Sequence, residues 1–327
     1  MKWLVYGAES LYRRLFVSAW RRLRTHPGLI WLGIGAALLG NGGDIEVALN
    51  KFFLLQNQEN ILAFLVQSGW LAFLGRLEWT ALPVIIFGAV VGLGLLLLGS
   101  LSQVALIQSA HDAETGQVSD LMVYLRRARS LFWKAFSFYA LSRLVIWIVF
   151  ILFALPALIN AFFQLSLESV SSLNLLGYFI LIPGSFYLAL LARLAVFSLV
   201  ISGSSFRGAY REALSLWKKH WLTLVEVSCV VFLVNTVVAL ATAAIFFLGL
   251  LPINAILAGS EAAVWGQGFL SLLFVVVIIL VGGLVSLWQY QVWVQIFTEL
   301  RRELSLKSKA QRVYDTMLNR FRNKFRK

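Results

Sequence analysis

Cysteine is nearly absent. Cys229 is the only one in 327 residues, so the chain has no intrachain disulfide framework and no cysteine metal site. Charge is scarce too: 13% of residues are charged and 60% are hydrophobic, which leaves too little polar surface to cover a water-soluble globule. Three chemical signatures are also missing. The chain contains no G-x-x-x-x-G-K-[ST], no H-E-x-x-H and no G-x-S-x-G, so ATP-driven chemistry, zinc proteolysis and a serine-hydrolase elbow all lack their residues. The expectation is a noncatalytic protein with no cofactor and no metal.

What the chain has instead is long apolar runs. A bilayer core about 30 Å thick takes about 20 apolar residues per helix, and runs occur at about 27–42, 79–109, 137–160, 175–203, 222–250 and 268–298. They are continuous, whereas the strands of an outer-membrane barrel alternate over about ten residues. The expected fold is an all-α integral membrane protein, a six-span helical bundle. Residues 1–298 form its single transmembrane domain, and residues 299–327 form a basic amphipathic tail. The first run is short, and at about 1.5 Å per residue it either crosses thinly or sits partly re-entrant. Arg13, Arg14, Arg21, Arg22 and Arg24 separate Met1 from that run, which reads as an uncleaved N-terminus.

Net charge is +13, and its distribution is strongly one-sided. With a cytoplasmic N-terminus, the inner segments hold 24 of the 28 Lys and Arg with 8 of the 15 acids, a net of +16. The outer segments hold Lys51 and Arg76 against six acids, a net of −4. The positive-inside rule therefore places both termini in the cytoplasm. The one long outer segment, 43–78, alternates apolar groups with Gln56, Asn57, Gln58 and Asn60, as in short interfacial helices that cap a bundle or gate it.

Three cytoplasmic segments resemble one another. Ser18-Ala19-Trp20-Arg21-Arg22 precedes the first run and Ser215-Leu216-Trp217-Lys218-Lys219 precedes the fifth, while Phe132, Trp133 and Lys134 with Arg126, Arg127 and Arg129 make a looser version before the third. Upstream of each lies an amphipathic stretch: Leu11, Leu15, Phe16 and Ala19; Leu121, Val123, Tyr124 and Leu125; Ala209, Tyr210, Ala213 and Leu214. Physically this reads as three interfacial helices, each followed by a turn into a membrane hairpin. Trp20, Trp133 and Trp217 would sit at headgroup level, with Arg21, Arg22, Lys134, Lys218 and Lys219 on anionic lipid. Recurring basic flanks and aromatic belts explain the same pattern without triplication.

On Gly99-Ser100-Leu101-Ser102-Gln103, Ala110-His111-Asp112, Gly116-Gln117-Val118-Ser119 and Leu131-Phe132-Trp133-Lys134, repeated in part at Phe206-Arg207-Gly208-Ala209 and Ala213-Leu214-Ser215-Leu216-Trp217, the chain resembles a loose group of bacterial polytopic proteins. That group is related to the membrane domain associated with glycerophosphodiester phosphodiesterases. The resemblance implies the bacterial cytoplasmic membrane. It carries no hydrolase activity, because the phosphodiesterase catalytic domain is not in this sequence.

Arg143, Arg193 and Glu226 fall inside spans, where a charge costs at least about 2.5 kcal/mol on insertion scales and faces a partner or a wet cavity. Arg143 and Glu226 lie at matching depth and are expected to pair; Arg193 is deeper. His111, Asp112 and Glu114 have no metal-ligand spacing and read as a solvated cluster. Gly88 and Gly92 form G-x-x-x-G, read as internal helix packing, and Pro183 is expected to kink its span. The tail carries ten Lys and Arg against Glu299, Glu303 and Asp315, with an apolar stripe through Leu300, Leu304, Val313, Met317, Phe321 and Phe325.

These features point to a membrane scaffold or lipid-interacting protein whose partners are anionic inner-leaflet lipids. The tail offers a further surface for a protein partner, and nucleic acid is not expected as a partner. A transporter or channel for a small anion or lipid, with a cavity near Arg193, is the alternative. Reporters fused after residues 60, 168 and 262 should read outside and those after 115, 210 and 310 inside; an inside signal at 168 would contradict six spans.

Overall fold

The computed structural model describes residues 11–25, 27–37, 82–117, 119–163, 169–257 and 261–302. The long outer segment and most of the basic tail lie outside these residues. Among the described residues there are seven α-helices and no strand. They are α1 (Leu11–Thr25), α2 (Ile30–Ala37, led by a 3-10 turn at Pro27–Leu29), α3 (Leu82–Thr115), α4 (Leu121–Phe163), α5 (Ser169–Ser202), α6 (Phe206–Leu257) and α7 (Glu261–Arg301). The last five are long and apolar enough to cross a membrane. The described residues are all-helical, and the chain is a multi-pass membrane protein.

The basic-aromatic segments lead into the apolar runs that follow them in three different ways. α1 stops at Thr25 and a separate turn starts at Pro27. α4 runs from its amphipathic start into the apolar run as one helix, without the turn expected there. α6 breaks at His220 (φ −133°, ψ 23°), directly after Trp217-Lys218-Lys219. Pro183, by contrast, sits inside a helix that continues through it.

Helices α2 to α7 close a ring in which each packs on its neighbours in sequence and α7 returns to α2. α3 also touches α5 and α7 across the interior, and α1 lies on α7. Over half of the most apolar described stretch of α5 is buried (56%), against 17% for those of α3 and α4. Two tight turns join the helices at one end. α3 ends in a Schellman arrangement, with Gly116 at φ 77° and the Gln117 N–H donating to the Asp112 carbonyl at 2.9 Å. Gly203 (φ 63°) follows α5 in the same left-handed region.

Packing is concentrated at that end. Leu106 and Ile107 of α3, Leu194 and Phe197 of α5, Leu224 and Val227 of α6, and Trp293 and Phe297 of α7 are all buried. Toward their other ends the helices expose apolar side chains, such as Phe87, Leu152, Ile245 and Phe269. Residues 85–96 of α3 are exposed around the whole circumference of the helix. In a bilayer such surfaces face acyl chains, which are as apolar as leucine.

The closest backbone approaches fall where a side chain does not fit. A Cβ on Gly33 would overlap the carbonyl of Gly283, and one on Gly283 would press into Ile34, so α2 and α7 cross through two glycines. Gly88 and Gly92, read as internal packing, make no such crossing among the described residues: no described atom lies within 4 Å of a Cβ built at either. Gly283→Leu should therefore lower the midpoint of thermal unfolding in detergent by the equivalent of about 1–3 kcal/mol, while Gly88→Leu should change it little. Equal effects would place the crossing elsewhere.

Candidate functional site: a polar layer at the basic end

The connected end of the bundle also holds its ion pairs. Arg127 Nη1 donates to Asp112 Oδ2 at 3.1 Å and Arg22 Nη1 lies 3.8 Å from Glu114 Oε1, so the acids that end α3 tie it to α4 and α1. Among the described residues no cluster of His, Cys, Asp and Glu has the arrangement of a metal site. Tyr124, fully buried at the start of α4, accepts a hydrogen bond from the Ser119 N–H at 3.0 Å, which fixes the turn between α3 and α4.

Glu212 is the centre of a second clamp. Its Oε2 accepts a short hydrogen bond from Ser198 Oγ of α5, and its Oε1 lies 3.1 Å from Arg301 Nε at the end of α7. Spacing explains its position: Ala209, Glu212, Ala213 and Leu216 follow i, i+3, i+4 and i+7, so Glu212 shares the buried face of α6. One carboxylate thus joins three helices. Sequence reasoning passed over it, although an acid on an otherwise apolar stripe was the available signal.

Above this clamp, α7 carries Ser286, Gln289, Gln291, Gln295 and Thr298, all buried. Ser18 Oγ of α1 donates to Gln295 Oε1 at 2.7 Å, and Asn235 Nδ2 of α6 reaches Gln289 Oε1 at 3.5 Å. Thr298 Oγ1 bonds back to the Val294 carbonyl at 2.8 Å. A buried amide is satisfied only by a specific partner, so these contacts fix the rotation of α7 against α1 and α6. The glutamines were missed in the sequence because only formal charges were weighed within spans.

The three intramembrane charges do not meet at one point. Arg193 is half-buried on α5, its guanidinium 5.1 Å from the ring centroid of the fully buried Trp293, with Leu190, Leu194 and Phe197 packed beside it. A desolvated contact of this type contributes about 2 kcal/mol. Glu226 is half-buried on α6, and its Oε2 has no hydrogen-bond partner among the described residues. Arg143 lies on the exposed face of α4, a helix that packs chiefly on α3 and α5, whereas α6 packs on α5 and α7. The expected Arg143–Glu226 pair is therefore not formed: equal depth does not make two helices neighbours.

Of the interfacial residues, Trp20 and Trp133 are exposed, as are Arg21, Lys134, Lys218 and Lys219. Arg22 turns partly inward to Glu114, and Trp217 is half-buried, edge-on to Tyr187 at 5.2 Å. The arrangement supplies hydrogen bonding, fixed charge and aromatic surface. No family model, no curated protein and no solved structure matches this chain.

If Glu212 and Arg301 act as a clamp, Glu212→Gln and Arg301→Gln should be less than additive in thermal unfolding. A coupling of about 0.5–1 kcal/mol is expected, modest because both side chains are partly exposed. Strict additivity would show that the pair holds nothing.

Proposed function

We propose that the protein is a noncatalytic membrane protein that gathers anionic lipid of the inner leaflet around its basic end and acts there as a scaffold. It spans the bacterial cytoplasmic membrane six times, with both termini in the cytoplasm, and its first crossing is made by the segment that begins with α2. Its three basic-aromatic segments are diverged copies of one unit, akin to the membrane domain associated with glycerophosphodiester phosphodiesterases. The basic tail adds a second lipid contact and a surface for a protein partner.

The observation that carries this reading is the juxtaposition of exposed Trp20 and Arg21, Trp133 and Lys134, and Lys218 and Lys219 at the end of the bundle where the helices are tied together. Each basic side chain near an anionic leaflet contributes about 1 kcal/mol, and tryptophan is favoured at headgroup depth. Against transport through Arg193 stands its stacking on Trp293 within the helix contacts. Transport needs that guanidinium to face a polar path.

The test is reconstitution of the full chain in mixed phosphatidylglycerol and phosphatidylcholine bilayers. Spin-labelled lipid should show enrichment of phosphatidylglycerol at the protein surface, reduced severalfold in Lys134→Gln/Lys218→Gln/Lys219→Gln and by high salt. Chloride and phosphate flux into the same vesicles should not depend on Arg193. A flux abolished by Arg193→Leu, or a lipid shell indifferent to charge, would overturn the proposal.

A further inference from the structure

Beside α1 the bundle leaves a cavity of about 490 Å³, lined among the described residues by apolar side chains. The helix spacing explains its form. Val281, Leu284, Val285 and Trp288 follow i, i+3, i+4 and i+7 on α7, and Val234 and Val238 are one turn apart on α6, so each helix offers one continuous apolar face. α7 runs toward the basic end and α6 away from it. Val238 and Val281 therefore form the deep end, while Val234 and Trp288 lie toward the headgroups.

α1 roofs this groove. Leu15 and Ala19 are buried, Phe16 packs on Trp288 with centroids 5.2 Å apart, and Ser18 bonds to Gln295, so the helix is held against α7. Its next stripe is Val17, Trp20, Arg21 and Arg24, again at i, i+3, i+4 and i+7. Val17 and Trp20 line the cavity with about half of each residue still exposed (49%), which marks where it opens. Arg24 lies over the Trp20 ring at 5.5 Å, and Arg21 is exposed on the same stripe. The rim is thus cationic where the walls are apolar.

We propose that this groove binds one acyl chain of an anionic phospholipid of the leaflet at the basic end, with Arg21 and Arg24 receiving its phosphate. The inference rests on the lipid-gathering reading above and adds a specific site to a general preference. The volume falls within the range of ligand pockets. A hydrocarbon chain matches walls that offer no polar partner, and in the bilayer it is held there by shape and van der Waals contact. The rim charge then selects the headgroup. A soluble anion would find no use for the apolar walls, and a zwitterionic lipid would gain less from the arginines.

The experiment uses the full chain in bilayers containing phosphatidylglycerol or phosphatidylcholine whose acyl chain carries a diazirine. After photolysis, mass spectrometry maps the labelled residues. Phosphatidylglycerol should label groove residues such as Val238, Leu284 and Val285 severalfold more than phosphatidylcholine does. Removing Arg21 and Arg24 by substitution with glutamine should cost about fivefold of that preference per arginine. Val285→Trp, which fills the groove, should abolish groove labelling by both lipids; Val238→Phe, from the opposite wall, serves if Val285→Trp unfolds. Equal labelling by the two lipids, or groove labelling that survives filling, overturns the site. If it does so while the lysine-dependent enrichment of phosphatidylglycerol persists, only the site is lost; if that enrichment is absent too, the lipid-gathering reading falls with it.

Discussion

A charged side chain cannot stay in hydrocarbon without a partner, and in this protein that constraint gathers the charge at one end of the helices and the packing with it. Arg22–Glu114, Arg127–Asp112 and the Ser198–Glu212–Arg301 clamp together involve six of the seven described helices near their connected ends. Each pair is partly exposed and modest alone. Their value is positional, since they fix which helix termini adjoin, and the buried residues of α3, α5, α6 and α7 fill the space those termini enclose. The polar face of α7 then sets rotation, because Gln289 and Gln295 reach partners on α6 and α1.

The far ends of the helices follow a different rule. Without water there is no hydrophobic force between apolar helices, so contact needs small residues or polar partners. α2 has both, crossing α7 through Gly33 and Gly283 and approaching Ser102 of α3 through Gly35. The first half of α3 has small residues at Gly88 and Gly92 but no polar partner and no described neighbour, and Phe87 and Val90 are exposed there. The tied end and the lipid-facing ends are therefore two consequences of where polar groups are placed along each helix. The same placement puts an apolar groove directly beneath a cationic rim.

Much of the local architecture was legible in the sequence. The amphipathic stretches before the first, third and fifth runs, read as interfacial, supply residues that turn into the bundle: Leu15 and Ala19, Tyr124, and Ala209 and Ala213 are buried, whereas Tyr210 is exposed. Periodicity determines which face of a helix is apolar, and that survives folding. Lateral neighbourhood is not encoded in the same way. Arg143 and Glu226 were aligned by depth yet belong to helices on different sides of α5, and Gly88 with Gly92 had the right spacing on a helix segment that no described residue approaches closely. The break at His220 falls where a turn was expected after Lys219, although neither proline nor glycine marks it. Within the site, Glu212 and the glutamines of α7 were overlooked for want of attention to single polar residues on apolar stripes.

The central claim is that the core sits at the charged end while the remaining helix lengths face lipid. Site-directed spin labels in bilayers test it through their collision rates with oxygen, which partitions into hydrocarbon. Labels at Leu93, Leu240 and Leu273, exposed in the structure, should be readily accessible, and labels at Leu106, Leu194 and Val294, buried in it, should be shielded. Shielding of the first set to the level of the second would contradict the account, because it would require the apolar ends to pack against protein instead of lipid.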